Sequence, residues 1–343
     1  QEMLDVGTNG KYAHALFGKW HLGNNTNGYH DSPNLAGYSH YSGNLFNIGK
    51  IIGTTYFKWE KTVDGSFSQK TGYLTTDTVD DAIAWTGAQT KPWLAVVAFN
   101  APHAPFHNPP ANLHTVNLSN PTELLQYQAA LEAVDTELGR LIQHLKQTQQ
   151  YANTTILVIG DNGTPKAVAV NPIPPEHAKD SLYEGGINVP FIVKSPFVSQ
   201  RGSESGAFVN AVDVMATIAE MAGVNLSRVV PGIKLDSVSM VPYLQNSGAL
   251  SLRSTNFSES FTPIQAQYGD IPPASGATQS SKTMRDVRYK LIWNTLDNTE
   301  EFYDLVVDPY ENTNLLLGGL TSGSPEEQSY LKLKTDIVAL VNS

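Results

Sequence analysis

Residues 93–107 read WLAVVAFNAPHAPFH, and residues 155–163 read TILVIGDNG. In each, an apolar run rich in β-branched or aromatic residues stops at a polar turn. That is the pattern of a short buried strand whose carboxyl end opens into a loop. Between them Leu124, Tyr127, Leu131, Val134, Leu138, Leu141 and Leu145 recur in steps of three and four, the period of a helix with one apolar stripe. Asn120 as N-cap, Pro121 at the first helical position and the acidic Glu123 at the third supply a start signal. Strand, long helix and strand make a βαβ crossover. The fold expected is therefore α/β, a mainly parallel sheet flanked by helices.

Working outward, residues 189–193 (VPFIV) read as a third buried parallel strand. Helices are expected over about residues 76–85 and about 209–221, the latter stopping at Gly223. The texture changes after about residue 250. Segments near 284–293 and 301–306 suit a small antiparallel sheet, and Ser324-Pro325-Glu326-Glu327 opens a final helix with a cap, a proline and acids in its first turn. This divides the chain into an α/β domain, 1–250, and a small C-terminal α+β subdomain, 251–343. Residues 24–42 and 262–281 are rich in Gly, Ser, Asn and Pro, long loops of the kind that wall active sites.

Composition excludes several classes. With 343 residues, 41% of them hydrophobic, the chain can bury a large core. Its 22 Lys+Arg against 32 Asp+Glu give a net charge of −10, which repels phosphate backbones and argues against a nucleic-acid partner. No run of 18 apolar residues exists to span a membrane. There is no Cys, so no disulfide and no thiolate metal site. The chain opens at Gln1 without Met or a targeting signal, and reads as the interior of a longer gene.

The residues with chemical potential sit at strand ends, where open α/β sheets bind ligands. Asp161 and Asn162 supply hard oxygen donors for Ca2+ or Mg2+, although Asp-Asn-Gly is also ordinary turn chemistry. His103 is held between prolines and reads equally as a loop residue. In Gly18-Lys19-Trp20-His21-Leu22-Gly23 an extended backbone would put Lys19 and His21 on one face. There a compact positive charge and a proton donor could meet one anion; the alternative is a strand with one exposed face. Lys179, just before Ser181-Leu182-Tyr183-Glu184-Gly185-Gly186, is either an anion ligand or a solvated loop lysine.

Taken in order, GKWHLG, PHxP after a strand, DNG after the next, and Lys-x3-Tyr-Glu-Gly-Gly-x3-Pro resemble the type I sulfatases of the alkaline phosphatase superfamily. Val212-Asp213-Val214 through Gly223 resembles a helix of that family. Tyr289-Lys290-Leu291-Ile292, Glu301-Phe302-Tyr303-Asp304-Leu305 and Asp308-Pro309-Tyr310-Glu311-Asn312-Thr313-Asn314-Leu315 resemble its C-terminal signature. The resemblance implies an alkaline-phosphatase-like fold and hydrolysis of small-molecule sulfate (or phosphate) esters. It implies that Lys19 neutralises the sulfate and the nucleophile, and that His21 hydrogen-bonds that nucleophile. His103 would contact the sulfate and help the leaving oxygen depart, Lys179 would bind the sulfate, and Asp161 and Asn162 would be half of a Ca2+ site. It also suggests secretion or a periplasmic location.

The resemblance breaks at one point. Family members carry, upstream of GKWHLG, an Asp-Asp pair and a Cys/Ser-x-Pro-x-Arg element whose Cys or Ser becomes formylglycine. Here 17 residues precede Gly18, and neither Cys nor Ser-x-Pro-x-Arg occurs anywhere. The ordinary formylglycine mechanism is not possible on this chain alone. Three readings follow: a piece of a true sulfatase; a repurposed, promiscuous hydrolase of phosphotriesters, diesters or other activated esters; or a catalytically inactive binding protein. The second would use Zn2+ or Mn2+ held by Asp161 with His21, His103, His107 or His177. Retention of the polar cluster favours activity. A sheet edge left bare by an absent strand would favour a homo-oligomer.

Overall fold

The sheet nearest the amino terminus consists of β1 (Ala13–Lys19), β2 (His40–Asn44), β3 (Lys58–Val63), β4 (Ser66–Thr71) and β5 (Trp93–Ala98), in the order β4-β3-β2-β1-β5. β1 is hydrogen-bonded in parallel on both edges, to β2 and to β5, which is why its five central residues are all buried. β3 and β4 are antiparallel additions beyond β2. The computed structural model describes residues 1–262 and 279–341. It divides into two units: Gln1–Thr154 with Ile218–Lys234, and Thr155–Thr217 with the described residues from Leu235 onward.

Two helices cover one face of the first sheet. Leu74–Gly87 buries Leu74, Thr75, Thr78, Val79, Ala82 and Thr86 and packs on β1, β5 and the long helix Glu123–Gln147. Ala82 lies against Ala15 and Phe17, with Trp85, Val97 and Leu141 at the margin. The long helix confirms the periodicity, with two corrections. Its cap is Thr122, whose side chain accepts from the Leu125 amide, not Asn120, so it begins after the Asn-Pro turn. Its buried residues include Ala129, Ala130 and Ala133, small enough for close helix packing, whereas Leu131 is exposed.

In the second unit β6 (Ile156–Ile159) pairs with β7 (Phe191–Lys194), and the pairing is antiparallel. This overturns the expectation that VPFIV is a parallel strand. A parallel return needs a crossover, usually a helix of a dozen or more residues with its loops; residues 160–190 supply only short 3-10 turns and the four-residue helix Glu184–Ile187. The apolar runs are also less buried than expected. All six residues of β5 are intermediate, β5 being an edge strand among the described residues, and Ile159 and Ile192 are exposed.

β8 (Asn256–Thr262), β9 (Gln279–Arg285), β10 (Tyr289–Asn294) and β11 (Thr299–Asp304) form an antiparallel sheet in the order β11-β10-β9-β8. The stretch near 284–293 is thus the end of one strand and most of the next, folded at Asp286. The helix Pro325–Val341, capped as expected by Ser324 Oγ accepting from Glu327 N, packs Leu333 and Ile337 on Met284, Leu291 and Phe302. The change of texture near residue 250 falls just before β8. Of the loop expected over 262–281, residues 263–278 lie outside the described residues. The architecture is α/β: a mixed sheet, parallel at its centre and flanked by helices, with a small antiparallel sheet toward the carboxyl terminus.

Candidate active site

Lys19, His21 and His103 belong to the first unit, and Asp161, Asn162 and Lys179 to the second. In the first unit the parallel pairing of β1 with β5 places Gly18 opposite Ala98. The segments leaving both strands, one with Lys19 and His21, the other with Asn100 and His103, therefore emerge at the same sheet edge. Gly18 makes this close approach possible. Its φ is 90°, and a β-carbon there would lie 2.1 Å from the Ala98 carbonyl oxygen.

The extended backbone expected through His21 is not observed. β1 ends at Lys19, and although the Trp20 and His21 amides still donate to the Asn44 and Leu45 carbonyls at 3.1 and 2.8 Å, His21 has φ of 57°. This left-handed conformation is uncommon outside glycine, and it turns the exposed side chain out of the strand alternation. His103 is fixed at three points. Its amide donates to Asn100 O at 2.9 Å, its carbonyl accepts from Tyr56 Oη at 2.7 Å, and its Nδ1–H donates to Ala104 O at 2.7 Å. The last contact places the hydrogen on Nδ1. Nearby His107 is stacked on Tyr56 with ring centroids 3.8 Å apart. Its Nε2 accepts from Tyr73 Oη at 3.1 Å, and burial pushes its pKa below the ordinary value, only partly offset by the Pro105 carbonyl.

In the second unit the Asp161-Asn162-Gly163 turn and the Lys179 turn are stitched together through backbone. Gly163 N donates to Gly186 O and Lys179 N to Thr164 O, both at 2.9 Å, and Gly160 N donates to Pro190 O at 3.1 Å. Asn162 Nδ2 donates to Gly163 O at 2.9 Å, which leaves its Oδ1 as the acceptor end. Lys179 is half-buried and Asp161 exposed; among the described residues no hydrogen bond or ion pair holds either side chain. His177 is not turned toward a ligand set. Its Nδ1–H donates to Tyr310 O at 3.0 Å, and its ring stacks on Tyr183 at 3.6 Å.

The donor chemistry of Asp161 and Asn162 fits a hard cation such as Ca2+, but in number it is two of the six to eight oxygens such an ion takes. Among the described residues no three His, Cys, Asp or Glu side chains gather as a metal-binding group. The histidine-built Zn2+ or Mn2+ site expected for a repurposed enzyme is therefore not assembled there.

The Sulfatase family profile matches residues 2–224, and that of the N-sulphoglucosamine sulphohydrolase C-terminal region matches residues 176–319. The chain belongs to the sulfatase family. The chain is 27% identical over 358 residues to the uncharacterized sulfatase YdeN of Escherichia coli (strain K12), covering 89% of this chain and 61% of that protein. It is 28% identical to the N-acetylglucosamine-6-O-sulfatase of Bacteroides thetaiotaomicron over 55% of this chain and 31% of that protein. The chain thus spans less than two thirds of the length of either relative. Its fold matches a structure in complex with D-glucosamine-2-N,6-O-disulfate with a TM-score of 0.71 at 21% identity, over 98% of this chain and 81% of that one. A crystal structure in complex with k-i-k-neocarrahexaose gives 0.72 at 22%, over 92% and 69%. At such identities the likeness speaks for the fold.

Sequence reasoning assigned no role to several residues that lie around these segments. Asn100, Tyr56 and Tyr73 brace the histidine loop. Lys290 pairs with both Glu184 and Glu311, three residues that the sequence offered only as parts of the family motifs. The available signal was Lys290 itself, a lone charge inside the apolar strand Tyr289–Asn294.

Proposed function

We propose that the chain is a hydrolase of small-molecule sulfate esters, with Lys19 and Lys179 neutralising the sulfate. The observation that carries this reading is Lys179. It is a half-buried ammonium with no carboxylate partner among the described residues, in a chain where acids outnumber bases 32 to 22. A cation left unpaired under those conditions is suited to an anion from outside.

In this reading His103, protonated on both ring nitrogens, gives its Nε2 proton to the ester oxygen as the S–O bond breaks and, in the net hydrolysis, the sulfuryl group passes to water, while Nδ1–H stays on Ala104 O. Preorganised cations are worth most where the transition state loads charge. His21 serves as hydrogen-bond partner of the nucleophile. Asp161 and Asn162 would contribute two oxygens to a divalent cation, of which Ca2+ fits the donor type; bound there, the ion would stabilise charge on the sulfuryl oxygens. Neither Cys nor Ser-x-Pro-x-Arg lies among the 343 residues, so no nucleophilic step is assigned to them. The name of one relative, N-acetylglucosamine-6-O-sulfatase, favours a sulfated sugar as substrate; a secreted or periplasmic setting rests on the family resemblance alone, and no helix among the described residues is long and apolar enough to cross a membrane.

Calorimetric titration with inorganic sulfate tests the binding half. Lys19→Met and Lys179→Met should each weaken affinity at least about tenfold, about 1.4 kcal/mol, while the exposed Lys11→Met should not. Paired assays on an aryl sulfate and an aryl phosphotriester test the chemistry. No detectable sulfate binding by the wild type, or turnover of the triester alone, would refute the proposal.

A further inference from the structure

Lys290 is completely buried, its side chain 0% exposed. Its Nζ lies 3.0 Å from Glu184 Oε1 and 2.8 Å from Glu311 Oε1. Arg285 Nη1 lies 2.6 Å from the other Glu184 oxygen, which also accepts from Asn188 Nδ2 at 3.0 Å. Glu311 Oε2 accepts the backbone amide of Glu184 at 2.5 Å. Two cations and two carboxylates make a neutral quartet, Lys290 and Glu311 buried and Glu184 and Arg285 partly exposed, in which Glu184 is held by side chain and backbone at once.

Stability is a poor explanation for such a quartet. Replacing buried ion pairs with apolar side chains is often neutral or stabilising, because desolvation offsets the attraction; fixing geometry is the better-attested use. The geometry fixed here is specific. Glu184 is followed by Gly185 and Gly186, whose carbonyl region carries the Asp161-Asn162-Gly163 turn. A β-carbon on Gly163 would stand 1.9 Å from Gly185 O, and one on Gly186 would stand 2.4 Å from Ser181 O and 2.8 Å from Ala178 O, either side of Lys179. Both turns are therefore packed backbone to backbone against the residues that Glu184 anchors to β9 and β10.

We propose that the Lys290–Glu184–Glu311 cluster is a positioning device through which the C-terminal sheet sets the placement of Lys179 and of the Asp161-Asn162 pair. What those residues are placed for rests on the function proposed above; the placement does not.

The test is amide hydrogen exchange on the full chain, with inorganic sulfate affinity measured alongside. In the double variant Lys290→Met/Glu311→Gln the remaining Arg285–Glu184 pair is again neutral, so global unfolding free energy should stay close to that of the wild type. Exchange at Gly163 and Lys179 should nevertheless accelerate at least about tenfold, and sulfate affinity should fall about tenfold. The Met240 amide, bonded to Thr217 Oγ1 at 2.9 Å within the same unit, should keep its rate. If the double variant does not fold, the isosteric Glu184→Gln should show the same local acceleration. Exchange at Gly163 and Lys179 within about twofold of wild type in a folded variant, or acceleration equal at all three amides, would overturn the proposal. Should the wild type bind no sulfate, the functional reading fails, and the exchange comparison still decides this one.

Discussion

The α-carbon of Gly163 faces the carbonyl oxygen of Gly185 so closely that an added β-carbon would lie 1.9 Å from it and 2.8 Å from the Gly186 α-carbon. Both obstacles are backbone, so neither can swing away. Gly163→Ala should force the two turns apart and destabilise the chain by about 1–3 kcal/mol, the range for overpacking. Gly206→Ala, where a β-carbon meets nothing within 4 Å, is the control. Urea unfolding of both variants checks it; equal midpoints would show that the turns separate freely.

His21 adopts its left-handed backbone at φ 57°, at a cost of roughly 1–2 kcal/mol for a residue with a β-carbon. His21→Gly should therefore be more stable than His21→Ala by about 1 kcal/mol, although both lack the imidazole. Any sulfatase turnover should fall equally in the two. Thermal unfolding of the pair, compared directly, decides whether the conformation is strained; Ala at least as stable as Gly would show that it is not.

His107 gives a pH dependence of definite sign. Burial among Tyr56, Phe57 and Tyr73 holds its folded pKa below 6.5. As pH falls through 6.5 the unfolded chain takes up this proton first. The stability contributed by neutral His107 is therefore complete above 6.5 and is lost as pH drops toward the lower folded value. Subtracting the profile of His107→Gln from that of the wild type, both from denaturant melts between about pH 7.5 and 5, should leave a difference that declines with acid. A flat difference would mean the ring titrates alike in both states.

Much of the fold was legible because it is local. The helix Glu123–Gln147 showed its period, the helix Pro325–Val341 showed its cap, and β5 and β6 showed apolar runs ending at polar turns. What misled was the sense of pairing. Residues 189–193 look the same to a composition argument whether they run parallel or antiparallel to β6, and only the lack of a crossover helix in residues 160–190 turns them back. β2, β3 and β4 went unread because HYSGN, KWEKTV and SFSQKT are too polar to announce strands; β2 is buried by its pairing with β1, not by its composition.

For the site, the sequence by itself determined which chemical groups are available: two lysines, two histidines and an Asp-Asn pair, in the order shared with sulfatases. It also determined the glycines that let the turns approach. Tertiary structure alone decided that His21 leaves the strand in a left-handed turn, that Tyr56 reaches the His103 carbonyl, and that Lys290 and Glu311 reach back more than a hundred residues to hold Glu184. Side-chain type is written residue by residue. Burial and charge pairing depend on which distant segments come within a few ångströms, and those distances exist only once the chain has closed its long-range contacts.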